Sequence, residues 1–392
     1  MTSKSYEKES LRLVEWYDSH QIIPVFQTGT VTQQRRAREL LYNQVGLPPI
    51  ALRDTSVVEV GPGTGQNAVH LSTFGLKELN LVEPSWAGCK YCEEMKERGI
   101  FHCDTNVYQG SIEQFVRHSD RTFDLVICEG LVGSSGYEKP AALVKLLAQC
   151  VGNSGSLVLT GEDEIGYLSE TLRRFWANRV LLKDRSNFSL DENIEYLKPF
   201  FAPHFEKFSG LYKRDTKDWI ADVLISPALN YPFFSIAEIV TTLKSEFRAI
   251  GTSPRICSDI TYYKVAAAED EFENESLIRA YKNNIVNFLD YRNPPVNIPS
   301  IEQEKIENLC KEITTIVQEG NRDFEKCKLE ITNLLEHLRD VIQGRLDLTA
   351  CALDEWIEII SLGIDGVEKF QSKKVLGSWF GRCQTYIHLV RK

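Results

Sequence analysis

No stretch of this 392-residue chain is both long and apolar enough to cross a bilayer. Residues 1–10 also lack the apolar core of a signal peptide. Low-complexity segments and internal repeats are absent, which sets aside linker-rich and repeat architectures. Positive charge is in short supply: 45 Lys and Arg against 55 Asp and Glu give a formal charge of −10. That balance argues against a protein built to grip a phosphate backbone. Cysteine is present but has no pattern. Ten cysteines scattered through a long chain predict reduced thiols and a cytoplasmic setting. Cys89-x-x-Cys92 with His102 and Cys103 offers ligand types for zinc. Its first pair falls inside a predicted helix and its second pair is adjacent, unlike the spaced knuckles of structural sites, so no metal is expected. What is there is 43% hydrophobic residues, enough for a sizeable core, in a chain long enough for two domains or one with large insertions.

The chain is organised around residues 57–65, Val-Val-Glu-Val-Gly-Pro-Gly-Thr-Gly. A β-branched run stops at three glycines, and residues 66–74 then read as a helix. Strand, glycine turn and helix in that order set backbone N–H groups and a helix N-terminus beside whatever lies over the strand's end. Glycine is needed there because a Cβ would hold the backbone away from a ligand. A dinucleotide fingerprint would place its third glycine where Gln66 stands. Glu59, two positions before the first glycine, is placed to accept hydrogen bonds from an amino or ammonium group.

Glu59-x-Gly61-x-Gly63-x-Gly65 resembles the first motif of class I S-adenosylmethionine (SAM)-dependent methyltransferases. The resemblance implies an α/β fold: a Rossmann-like, seven-stranded, mostly parallel sheet with an antiparallel last strand. It implies SAM as cofactor and S-adenosylhomocysteine (SAH) as product, with Pro62 and Asn67 joining the glycines in the cofactor turn. A Rossmann-like alternation of strands and helices runs on from there. Residues 78–82 form the second strand and end in Glu83-Pro84. The resemblance gives Glu83 the ribose hydroxyls, about twenty residues past the turn, as nucleoside binding requires. The third strand, 106–109, leads to Gly110-Ser111-Ile112, where the resemblance puts the adenine: Ser111 toward its amine, Ile112 against its ring. An Asp is common at position 111 in the family, so the chain departs there. A fourth strand, 123–128, ends in Glu129-Gly130 near the sulfonium, and a fifth, 156–160, ends in Gly161-Glu162-Asp163. Because open α/β sheets bind ligands outside the carboxyl ends of their strands, Glu59, Glu83, Glu129 and Glu162/Asp163 are expected on one rim. Residues 247–254 and 260–265 are expected to close the sheet, the last strand antiparallel.

Around this sheet, residues 1–50 read as an N-terminal helical lid or as a cap packed on the core, with arginine-rich helical spacing over 32–45. Tyr17, His20 and Thr28 would face the site from it. Residues 51–268 read as the SAM-binding domain, with 181–245 as an aromatic-rich, substrate-side insertion. In that insertion Tyr212, Arg214 and Trp219 are candidates to meet substrate, the plainer account being a satellite core. Residues 269–392 read as a C-terminal α-helical bundle whose apolar stripes recur near 3.6 residues, through 375–390. A homodimer through these helices is a secondary expectation.

A sulfonium methyl is already electrophilic, so transfer needs a nucleophile held in line and, for a hydroxyl acceptor, a general base. His20, Glu129 and Asp163 are the candidate bases. Nothing matches the Asn-Pro-Pro-Tyr motif used on bases in nucleic acid, so DNA is not an expected acceptor. The expectation is methylation of a small molecule at oxygen, and less so at nitrogen. A protein or RNA methyltransferase docking through the helical domain is an alternative, as is a non-catalytic SAM-binding scaffold.

Overall fold

The computed structural model describes residues 13–20, 31–133, 139–207, 215–257, 261–267, 271–319 and 323–392. Two compact units divide the chain. One comprises residues up to 162, 230–282 and 384–392; the other comprises 163–229 and 283–383.

The first unit is built on one sheet. Its strands are β1 (Ser56–Val60), β2 (Glu78–Glu83), β3 (Asp104–Gln109), β4 (Phe123–Cys128), β5 (Val151–Glu162), β6 (Phe247–Ser253) and β7 (Gln384–Arg391). They lie in the order β3-β2-β1-β4-β5-β7-β6. β1 through β5 pair in parallel, and β7 runs antiparallel to both β5 and β6. Parallel strands covered on both faces must be apolar throughout, and Val57, Val58, Leu79, Leu81, Val126, Ile127 and Val158 are accordingly excluded from solvent. Chain order reverses between β1 and β4, which opens a crevice at the carboxyl edge. Val60 pairs with Val82 on one side and Cys128 on the other, so the turn at Gly61, the side chain of Glu83 and that of Glu129 emerge at nearly one level.

The seven strands and the antiparallel last strand are as the sequence implied, but the strand closing the sheet is a different one. Residues 261–265 do not pair with β6, and Ile260 lies outside the described residues. Tyr263–Ala266 (α11) is a single helical turn, and Tyr262, Tyr263 and Val265 are 60%, 67% and 62% exposed. β7 takes the slot instead, although residues 375–390 had read as helix. A strand lying between two others must be buried on both faces. Ile387 and Leu389 are buried on one face of β7; on the other His388 is buried with its Nδ1 3.1 Å from the Val45 carbonyl.

Helices of this unit include α1 (13–20), α2 (Val31–Gln44), α3 (Gln66–Ser72), α4 (Trp86–Glu97), α5 (Ile112–His118), α6 (Pro140–Gln149), α10 (Ile236–Leu243) and α12 (Phe272–Asn284).

The second unit is helical: α7 (Glu164–Trp176), α8 (Leu190–Phe205), α9 (Thr216–Trp219), α13 (Ser300–Gln318), α14 (Phe324–Ile342), α15 (Asp347–Leu362) and α16 (Val367–Ser372). These units cut the chain differently from a division into 51–268 and 269–392. Residues 163–229 pack with the late helices, and the last nine residues belong with the sheet. The aromatics of the expected insertion explain why. Phe201 meets Phe370 at 5.3 Å between ring centroids, Phe205 stacks on Trp219 at 5.2 Å, and Trp219 meets Phe380 at 6.1 Å. These rings need partners of comparable area, and the late helices supply them. Among the described residues no helix is long and apolar enough to cross a membrane.

Candidate functional site

The three glycines after β1 do two different jobs. All have positive φ, +72° at Gly61, +56° at Gly63 and +70° at Gly65, a region that side-chain-bearing residues avoid. A Cβ at Gly61 would lie 2.3 Å from Cδ1 of Leu131, and one at Gly65 would lie 2.6 Å from Cε of Met95. These two let the turn pack. At Gly63 a Cβ would meet nothing within 4 Å. Here the backbone borders open space, and a ligand can approach it.

Beside Gly63 stands Glu83, only 5% exposed. Its carboxylate accepts from the N–H of Gly63 and from the N–H of Ser85, both at 2.8 Å. Burial still pushes this carboxyl up to about 7, against the pull of the two backbone donors. Ser85 caps α4 and donates from its hydroxyl to Asp18 of α1 at 2.6 Å, so an N-terminal helix does reach the tip of β2.

Glu59 is more isolated. It is 3% exposed, and its Oε2 is buried with no hydrogen-bond partner. Burial, then repulsion from Glu129 and Glu83 against the attraction of Arg38, raises its carboxyl to about 8. An orphaned carboxylate oxygen and a glycine bordering open space fit an adenosyl amino acid, whose ammonium group suits Glu59.

Glu129 is not isolated. Arg38 of α2 donates to both of its oxygens, at 2.8 Å from Nη1 to Oε2, and by a shorter bond from Nη2 to Oε1. The Tyr386 hydroxyl donates to Oε2 at 3.0 Å and Asn67 Nδ2 approaches the same oxygen at 3.4 Å. A carboxylate so thoroughly paired is a poor general base. Gly130, at φ +72°, donates its N–H to the Thr160 hydroxyl at 2.7 Å.

The other expected site residues fall in varied places. Pro62 is buried and Pro84 is half-buried behind Glu83. Ser111 is the N-cap of α5, its oxygen accepting from the Gln114 N–H at 3.3 Å, and Ile112 is buried beside it. Tyr17 is half-buried on α1. Thr28, Tyr212 and Arg214 lie outside the described residues.

Three of the expected site residues are bonded elsewhere. His20 is exposed and its Nδ1 lies 2.7 Å from the carbonyl of Trp16 in its own helix, so it is spent locally. Asp163 caps α7, accepting from the Gly166 N–H at 2.7 Å, because a helix start needs such an acceptor. Trp219 is 1% exposed and its Nε1 donates to Glu170 at 3.2 Å, which makes it core of the helical unit. Sequence reasoning missed Arg38, Tyr42 and Tyr386. Arg38 and Tyr42 are four apart on α2 and share a face, with Nη2 donating to the Tyr42 hydroxyl at 3.1 Å. That spacing was readable; Tyr386, in a segment read as helix, was not.

Raised carboxyls have a consequence for pH. Glu59 and Glu83 keep their protons in the folded, ligand-free protein to higher pH than in the unfolded chain. Their contribution to stability is therefore fully present below about pH 4.5, the ordinary carboxyl range, and is lost as pH rises through about 7 and 8. Thermal unfolding of the free protein should show Tm falling from pH 5 to pH 8, and less steeply in Glu59→Gln. A flat profile in both proteins would count against these shifts.

Residues 58–159 match the family described as "Methyltransferase domain". The match covers this segment, about a quarter of the chain, and shows a likeness to methyltransferase domains there. No curated protein matches the chain. Among solved structures, the chain is similar to a precorrin 8W decarboxylase from Methanobacterium thermoautotrophicum (13% identity, covering 34% of this chain and 65% of that one, TM-score 0.26). It is also similar to magnesium protoporphyrin IX methyltransferase from Synechocystis PCC 6803 with bound SAM (15%, 39% and 76%, TM-score 0.30). A third is mycolic acid cyclopropane synthase complexed with SAH (10%, 99% and 98%, TM-score 0.38). The chain thus spans just under two thirds of the decarboxylase.

Proposed function

We propose that this chain transfers the methyl group of SAM to a hydroxyl oxygen of a small, largely apolar acceptor. One observation carries the reading. A hollow of about 470 Å³ is lined by Pro140, Ala141, Ala142, Pro232, Phe233 and Phe234, with Lys139, Lys145 and Glu238 at its polar positions. Its size falls in the ~300–1,000 Å³ range of small-molecule sites, and its lysines suit an acceptor with an acidic group.

A carboxylate stands next to it. Glu162, at the end of β5, donates its backbone N–H to the Phe234 carbonyl at 2.9 Å. Its side chain accepts from Gln384 Nε2 at 3.0 Å and is 2% exposed. When bound, the cofactor supplies an electrophilic methyl group. The chain's own residues do the rest: the Gly63 backbone and Glu83 hold the nucleoside, Glu59 takes the ammonium, and Phe233 and Phe234 exclude water. Glu162, in place of His20, Glu129 or Asp163, receives the proton of the acceptor hydroxyl.

Incubating the protein with SAM and a panel of small hydroxylated compounds, with and without carboxyl groups, should yield O-methylated products by mass spectrometry. Methylation confined to protein or RNA would overturn the reading, and failure to bind SAM and SAH would overturn the cofactor site itself. Glu162→Gln should lower kcat by ~10²–10⁴-fold with SAH affinity unchanged in calorimetry. Equal kcat in the two proteins would remove Glu162 from the mechanism.

A further inference from the structure

His204, near the end of α8, is completely buried, and neither of its ring nitrogens has a hydrogen-bond partner among the described residues. Its ring stands 4.7 Å from that of Phe370 on α16 and 6.2 Å from that of Phe201, edge-on to both. A third wall is the chain at Gly377, where an added Cβ would lie 2.8 Å from the ring's Cδ2. A phenyl ring would fill this cage without leaving two nitrogens unpaired. Packing alone therefore does not explain a histidine here. What the imidazole adds is a place for a proton.

No acid stands ready to share that proton. The charges that act on the ring are Arg173 of α7 and Lys207 just beyond α8, both cationic. The Phe370 carbonyl is the one group that favours a charged ring, and neither nitrogen bonds to it. Nearby acids are engaged elsewhere. Glu355 of α15 accepts from the Leu376 N–H at 2.7 Å, Glu358 pairs with Lys369 at 3.0 Å and with Lys373, and Glu170 of α7 accepts from Trp219. On the segment that packs against α8, Lys217 pairs with Asp191 at 3.0 Å, and Asp218 and Asp222 do not act on the ring. Glu206, Glu368 and Lys374 are exposed. Burial, then Arg173 and Lys207, hold the imidazole down at about 3 in the folded unit, against the usual 6.5. A group held down in this way contributes stability above about pH 6.5 and loses it as pH falls toward 3. The direction is opposite to that of Glu59 and Glu83.

We propose that His204 is an acid-released catch: proton uptake at its ring frees α8 from α16 and from residues 376–379. Those residues hold Arg173 through the Leu376 and Trp379 carbonyls and press on His204 at Gly377. A second positive charge there must leave for water, and the segment opens with it. The catch needs no cofactor or substrate.

Hydrogen exchange on the full chain reads the opening directly, because each segment reports its own protection. Relative to His204→Phe, the wild type should open α8 and residues 367–379 about tenfold more for each pH unit below ~6.5. Peptides from β1 to β4 should show no difference between the two proteins. His204→Gln, which also cannot titrate, carries the same test if His204→Phe folds poorly. By nuclear magnetic resonance, the His204 ring of the folded wild type should stay neutral at pH 5, where free histidine is charged. The same pH dependence in the wild type and both variants, or a ring that titrates near 6.5 in the folded protein, would overturn the catch. So would a difference spread evenly over both units, which marks an ordinary contribution to global stability.

Discussion

Gly63→Val should abolish binding of both SAM and SAH, a loss of more than ~100-fold, while the protein stays folded. A branched side chain at this position projects into the space that borders the turn, where no protein atom lies within 4 Å of a Cβ. It therefore displaces ligand and not the core. The backbone cost of placing a non-glycine residue at φ +56° is about 1–2 kcal/mol. In a protein of this size that lowers Tm by only a few degrees. Calorimetry with SAH and a thermal melt check both halves. Unchanged SAH affinity would place the cofactor elsewhere. The same change at Gly61 makes a useful contrast, since its Cβ would collide with Leu131 and the loss of binding would then come with repacking.

The second large effect belongs to the helical unit. Arg173 of α7 is completely buried. Its Nη1 donates to the Ser169 carbonyl at 3.1 Å, and its Nη2 to the carbonyls of Leu376 and Trp379, both at 2.8 Å. The guanidinium also sits over the Phe380 ring, 4.2 Å from its centroid. It is a bracket that ties residues 376–379, a single 3-10 turn in which the Trp379 N–H also donates to the Leu376 carbonyl at 3.1 Å, to α7. Arg173→Ala leaves those acceptors buried and opens a void, at a cost of roughly 3–5 kcal/mol. The expected fall in Tm is roughly 10 °C for a unit of this size. Arg173→Met, which keeps most of the volume, should lose less, and the difference between the variants reports the packing share. A Tm within about 2 °C of wild type in Arg173→Ala, less than one kcal/mol would produce, would show that these bonds are matched by water in its place.

The chemistry of the cofactor turn was legible because it is local. Gly61, Gly63 and Gly65 demand positive φ, the preceding run demands a buried strand, and an acid two residues upstream demands a cation. All of that is carried by nine consecutive residues. Glu83 was legible for a related reason: the length of a βα unit fixes where the next strand tip emerges. Residues that depend on distant partners were not legible. His20 and Asp163 looked like bases because their chain positions were favourable, and each has a bond within or at the start of its own helix that the sequence did not show. Glu129 looked like a base until Arg38, 91 positions away, was seen paired with it.

The sequence by itself determined the parallel half of the sheet, the glycine turn after β1 and the placing of Glu59, Glu83 and Glu129 at or next to the strand ends beside it. Tertiary structure decided which segment fills the slot between β5 and β6, that residues 181–229 join the late helices, and that Arg38 pairs with Glu129. The physical reason is the range of the interactions. Turn geometry and strand patterning are set by neighbours in the chain, whereas burial of a strand on both faces, or the pairing of a buried charge, depends on whichever distant segment packs there.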